Sequence, residues 1–451
     1  MGVKIGIIGA GSAVYALSVV KDVCLTPSLR GATVTFMDIS RQRLDVAHEL
    51  GERYAAELGA KLRLEKTVDR AKCLRGADFV INTALAAGGS HPRLQEGWRI
   101  AARYGYRLGG SLHIMHDEAF WVNFHQLRLM DSVARDILRI CPRAWLLQVG
   151  NPVFAGTTWL QRNYPRLKMV GLCHGYMGVF GVADILGLKD HARLDYEVSG
   201  VNHFIWVTRM KYRGRDAFPV LDRWIRRGGY RSRWRKPGAV DAELNPVKLD
   251  LYRMFGVIPV GDAGHTAGGG WPYWYRADRA TERKWREAAA RWWAGHFRYC
   301  RSAISRIGRI MRDPKVKLTE EFGAEHTGES MMSLIDSMIR DIPRRIVVNT
   351  LNTGNWAPGI PRGIAVELRG RVDGKGVHGV PTKPLPSGVL AWITRDLVAQ
   401  AEMELAAYRG GSRNLLLNLI LMDPWSRTKE KAERFMNEIL SRHPEMARHY
   451  R

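Results

Sequence analysis

Lys4-Ile5-Gly6-Ile7-Ile8-Gly9-Ala10-Gly11-Ser12-Ala13-Val14 reads as a buried strand, a glycine turn and the opening of a helix. Two glycines two residues apart permit a tight turn and let the backbone approach a pyrophosphate, whose charge meets the helix N-terminus. A second apolar strand, residues 32–37, runs into Asp38. A carboxylate at that distance can accept from the adenosine ribose hydroxyls and repels a 2′-phosphate, which favours NAD over NADP. Val14 stands where many such turns carry a third glycine. An ordinary βα turn is the competing reading, but strand, turn, helix and acid agree. Gly9, Gly11, Ser12, Ala13 and Asp38 are therefore candidate cofactor contacts, with Asn82 at the end of a later strand.

Outward from this unit, helical periodicity covers residues 12–23, 41–58 and 120–140, and buried strands are expected at 77–83, 144–149 and 168–173. Alternating strand and helix implies a parallel sheet with right-handed crossovers. The pattern changes near Asp195. Residues 196–210 and 346–351 read as strands of a second sheet, and long helices are expected over 281–311, 319–340, 387–409 and 428–443. The expected class is α/β. A Rossmann-type, NAD-binding parallel sheet spans residues 1–195, and an intimately packed α+β domain for substrate, metal and oligomerisation spans 196–451.

Composition narrows the function. The chain has 451 residues and is 46% hydrophobic, enough for a large core. It holds no apolar run of about 18 residues, so no membrane span is expected. The opening residues read at once as a strand with no signal segment ahead, which points to the cytoplasm. Five scattered cysteines do not make a disulfide framework. The net charge of +25 raises the idea of a nucleic-acid partner. The basic residues are spread along the chain, however, and no nucleic-acid motif accompanies them. An arginine-rich solvated surface, or a field that attracts anionic substrates, is the better reading.

Three downstream motifs carry chemistry. Cys173-His174-Gly175 closes one expected strand, and Gly200-Val201-Asn202-His203 lies in another. A lone cysteine at a strand end is usually a small buried hydrophobe. Paired with His203 beyond the carboxyl ends of strands, its thiolate can hold a divalent ion and leave positions for substrate oxygens. Asn151-Pro152 ends a further strand; its amide can bond a sugar hydroxyl, or simply form a turn.

These motifs, followed by Pro259-Val260-Gly261-Asp262, Asn352-x-Gly354, Val366-Glu367 and Asp423-Pro424, occur in an order that resembles glycoside hydrolase family four. That family comprises NAD- and metal-dependent glycosidases related to lactate and malate dehydrogenases. The resemblance implies a route unlike that of paired carboxylates. NAD oxidises C3 of the sugar, a base removes the acidified C2 proton, the aglycone leaves from C1, water adds, and hydride returns to C3. It implies Cys173 and His203 as ligands of Mn²⁺ or another divalent ion. It implies Asp262 as the C2 base, with Tyr273 or Tyr275 as alternatives. His174 is either general acid or substrate ligand.

Cys-His-Gly is similar to the branch that cleaves α-glucuronides and α-galacturonides. Neutral α-glucosides, α-galactosides and a sulfonated sugar stay open. Arg93, Arg107, His116 and His265 are candidate partners for a substrate carboxylate, and Asn151, Asn202 and Asp117 for other substrate atoms. His116 and Asp117 read equally as a capped helix start. The partner implied is a small anionic glycoside, with neither nucleic acid nor membrane, and the implied assembly is a homodimer or homotetramer. A plain NAD-dependent 2-hydroxy-acid dehydrogenase is the competing enzyme class, and Cys173 with His203 argues against it.

Overall fold

The computed structural model describes residues 2–86, 91–234, 243–261, 272–286 and 289–451. The first six strands are β1 (Lys4–Ile8), β2 (Thr33–Met37), β3 (Arg63–Thr67), β4 (Phe79–Asn82), β5 (Trp145–Gln148) and β6 (Met169–Gly171). They lie parallel in the order β3-β2-β1-β4-β5-β6. Their buried Ile, Val and Leu runs suit a sheet covered on both faces. The order reverses between β1 and β4, and ligands of such sheets bind beyond the strand ends at that point.

The second half corrects two expectations. Residues 196–210 do not form one strand. They form an antiparallel hairpin of β7 (Leu194–Val201) and β8 (Phe204–Tyr212), with Asn202 and His203 between them. The smaller sheet is completed by β9 (Arg215–Asp216) and β10 (Ile258–Gly261), both antiparallel to β8. Residues 346–351 do not join this sheet either. As β11 (Arg344–Leu351) they pair antiparallel with β6, followed by β12 (Ala365–Asp373) and β13 (Gly376–His378). The large sheet thus has nine strands, and its C-terminal members cover the open edge of β6.

Some helices match the periodicity over their whole length. Phe120–Ile140 is one helix, and Thr428 caps Lys429–Arg442 by accepting from the Lys431 N–H. Residues 319–340 instead divide into Leu318–Phe322 and Ser330–Arg340, because Gly323 and Gly328 between them adopt positive φ. Residues 281–311 divide into Arg279–Trp285 and Ala289–Arg312. Among the described residues no helix is long and apolar enough to cross a membrane.

One buried cluster contains Ile5 and Phe36 of the parallel strands, Phe204 and Trp206 of the hairpin, and Val348, Val366 and Leu368 of the added strands. The two sheets therefore share a core. Trp206 is fully buried in it, edge-on to Phe255 at 5.9 Å. Trp206→Ala is expected to destabilise the protein by about 3–5 kcal/mol, the usual effect of deleting a buried aromatic. A urea unfolding curve checks this; an unshifted midpoint would contradict the shared core.

Candidate active site

The glycine turn is tied to β2. The N–H groups of Gly9 and Ala10 both donate to the Met37 carbonyl, at 2.9 and 3.0 Å. Gly9 has φ 93°, and a Cβ there would sit 2.6 Å from Ala84 Cα. A Cβ on Gly11 would sit 2.6 Å from the Asp38 carboxylate. Gly11 N–H donates to Asp38 Oδ2 at 2.9 Å, and Ser40 N–H to Oδ1 at 2.9 Å. Asp38 therefore closes the turn. Ser12 and Ala13 open the helix Ala13–Cys24. Asn82 is buried at the end of β4, with Nδ2 donating to Gln148 Oε1 at 2.9 Å, which links β4 to β5 below the switch point.

Cys173 follows β6, and His203 follows the Asn202 position in the β7–β8 turn. Their Sγ and Nδ1 atoms lie 3.5 Å apart. Sulfur and nitrogen at about 2.3 and 2.1 Å from one tetrahedral ion would be about 3.6 Å apart, so the pair fits a shared divalent ion. Among the described residues no third His, Cys, Asp or Glu completes a cluster around it. Two protein ligands leave positions that substrate oxygens can take.

The neighbours of this pair explain its position. Asn202 and Glu367 are both buried, and Asn202 Nδ2 donates to Glu367 Oε2 at 2.7 Å. Glu118, 2% exposed, brings Oε1 to 3.2 Å from His203 Nε2. Gly261 has φ 60°, and a Cβ there would sit 2.5 Å from the His203 carbonyl oxygen. The end of β10 therefore packs directly on the His203 backbone. Lys248, fully buried, donates to Glu243 at 2.6 Å and to the Gly261 carbonyl at 3.3 Å.

Asn151 Nδ2 donates to Asp117 Oδ2 at 3.2 Å, and His116 Nδ1 lies 2.7 Å from Asp117 Oδ1. Burial would raise the Asp117 carboxyl. The charge and hydrogen bond of His116, the charge of His203 and the Asn151 amide outweigh it, and the group is held well below the usual carboxylate range. His174 is 76% exposed, with Nδ1 3.6 Å from Glu329 Oε1. Burial pushes the Glu329 carboxyl up, against the opposing charge of His174.

The remaining candidates are less concentrated. Arg93 acts on His125 and His443; burial first, then the Arg93 charge, brings each of these imidazoles down to about 4. Arg107 donates to the Ala277 carbonyl at 3.1 Å and lies over the Trp425 ring. Tyr275 donates to Asp250 at 2.7 Å, and burial and that carboxylate raise its phenol, which makes it a poor base. Asp262 and His265 lie outside the described residues.

Glu118 and Glu367 carry no local mark in the sequence. Both are buried carboxylates next to motif residues, a property only the packing reveals.

Residues 4–188 match the model described as family 4 glycosyl hydrolase, and residues 198–426 match the family 4 glycosyl hydrolase C-terminal domain. The chain is similar to an α-galactosidase of Bacillus subtilis strain 168, with 25% identity over 443 residues covering 97% of this chain and 96% of that protein. It is similar to an α-galacturonidase of Thermoanaerobacterium saccharolyticum, with 26% identity over 443 residues covering 94% and 91%. Its fold is shared with a 6-phospho-α-glucosidase from gut microorganisms solved in complex with NAD and Mn²⁺, at a TM-score of 0.76, 18% identity and 99% of each chain. A glycine turn of dinucleotide-binding type, a thiol–imidazole pair at the end of the same sheet's β6 and matches to both halves of one enzyme family lead to the same statement: the chain belongs to the family 4 glycosyl hydrolases.

Proposed function

We propose that this glycosidase cleaves α-glycosides, α-uronides above all, by oxidation at C3 and elimination across C1–C2. The observation that carries the reading is the 3.5 Å approach of Cys173 Sγ to His203 Nδ1. Family membership sets aside the plain dehydrogenase. When bound, NAD would accept and return a hydride, and a divalent ion such as Mn²⁺ would polarise the sugar oxygens next to the C2–H bond.

The chain's own residues supply the rest. Cys173 and His203 hold the ion. Gly9, Gly11, Ser12, Ala13 and Asp38 hold the dinucleotide, with Asn82 bracing the strand ends. Ionised Asp117 and the amides of Asn151 and Asn202 orient sugar hydroxyls. Asp262, next after Gly261, takes the C2 proton. His174, exposed and beside Glu329, gives a proton to the departing oxygen. Arg93, Arg107, His116 and His265 are the candidate partners for a uronate carboxylate. The named activities of the relatives include α-galacturonidase, which supports the uronide reading.

A panel of p-nitrophenyl α-galacturonide, α-glucuronide, α-glucoside and α-galactoside, with 6-phosphoglucoside, tests the substrate. NAD, Mn²⁺ and a thiol reductant are present throughout. The α-uronides are expected to show kcat/KM about 10–100-fold above the neutral sugars, the effect of one charge-assisted hydrogen bond. Turnover should need NAD yet accumulate no NADH. Faster cleavage of 6-phosphoglucoside, or full activity after cofactor removal, would sink the respective part of the reading.

Hydrolysis in D₂O is expected to leave deuterium at C2 and protium at C3, because the C2 proton exchanges with solvent and the hydride does not. Asp262→Asn keeps the shape, removes the base and should slow turnover about 10²–10⁴-fold. Product with protium at C2, read by proton NMR, would refute elimination.

A further inference from the structure

Two acids stand side by side where the chain enters the helix Phe120–Ile140, and they face different partners. Asp117 accepts from Asn151, whereas Glu118 lies against His203. The His203 ring sits between two groups: Cys173 Sγ 3.5 Å from Nδ1 and Glu118 Oε1 3.2 Å from Nε2. A neutral imidazole carries one proton and one lone pair, and an ionised carboxylate only accepts. The 3.2 Å approach lies outside hydrogen-bond geometry, so the carboxylate acts on the ring by its charge: a proton on Nε2 faces that charge and leaves the Nδ1 lone pair toward the thiol. With the proton on Nδ1, a lone pair would face a carboxylate that is 2% exposed, leaving buried acceptors opposed. The Phe120 N–H donates to the His113 carbonyl at 2.8 Å, which holds the segment bearing Glu118 in place.

We propose that Glu118 is a positioning residue that fixes the His203 proton on Nε2 and so presents Nδ1, beside the Cys173 thiolate, as the metal-ligating nitrogen. This rests on Cys173 and His203 being the metal pair. A carboxylate behind a ligating imidazole orients the ring and makes it a better donor, and its loss typically weakens metal binding about 10–100-fold.

The test uses metal-depleted full-length protein titrated with Mn²⁺, the free ion being followed by electron paramagnetic resonance. NAD binding and the thermal midpoint serve as folding controls. E118A should bind Mn²⁺ about 10–100-fold more weakly than wild type. E118Q should fall between the two, because the amide keeps an oxygen toward Nε2–H without the charge. With Co²⁺ as probe, E118A should also shift the ligand-field bands while NAD binding is unchanged, since a ring free to turn alters the coordination geometry; a merely structural role would not do this. C173S separates the two layers of the argument. If C173S weakens Mn²⁺ binding and E118A does not, the role of Glu118 is overturned. If C173S binds Mn²⁺ as wild type does, the metal pair falls, and this proposal with it. Should E118A fail to fold, wild-type Mn²⁺ affinity in E118Q overturns the proposal.

Discussion

The architecture depends on one seam. β11 meets β6 with Asn349 opposite Gly171, antiparallel to a strand whose other neighbour is parallel. The approach leaves no room for a side chain at Gly171, where a Cβ would sit 2.4 Å from Thr157 Oγ1 and 2.9 Å from Asn349 Cβ. Through this seam the C-terminal strands continue the cofactor-binding sheet. Glu367 pairs with Asn349 across the next ladder, and from there its carboxylate accepts from Asn202. His203, the proposed metal ligand, is the next residue in the chain. A pairing made far along the sequence thus sets the turn that carries His203.

The charges around that turn oppose those of the rest of the molecule. The chain as a whole carries +25, yet Asp117, Glu118 and Glu367 gather beside Asn151, His203 and Asn202. Buried carboxylates are tolerated when paired or when a cation shares their site. His116 and His203 supply part of that balance for Asp117. A dication between Cys173 and His203 would supply more. The exterior excess of positive charge then favours approaching anions.

The legible parts of the sequence were those with local signals. β1, the glycine turn and Asp38 could be read because the apolar run, the glycines and the acid follow one another within a single βα unit. The hairpin of β7 and β8 was not separable, because apolar residues continue on both sides of Asn202-His203 and no Gly or Pro marks the turn. The place of β11 was hidden for a different reason. Strand partners are chosen by long-range packing, and residues 346–351 look alike whichever sheet they join. Cys173 and His203 were paired by resemblance and by motif order, and the structure brings them within 3.5 Å. Glu118 and Lys248 gave no signal, since a buried charge looks like a surface charge until its neighbours are known.

Asp38 accepts from the Gly11 N–H of the glycine turn and from the Ser40 N–H just beyond its own strand. If Asp38 also reads the ribose, cofactor preference and loop integrity are one trait. A neutral or basic replacement that welcomed a 2′-phosphate would leave the Gly11 and Ser40 amides without their acceptor and loosen the glycine turn. Evolution toward the phosphorylated cofactor would have to rebuild the loop before, or together with, the acid.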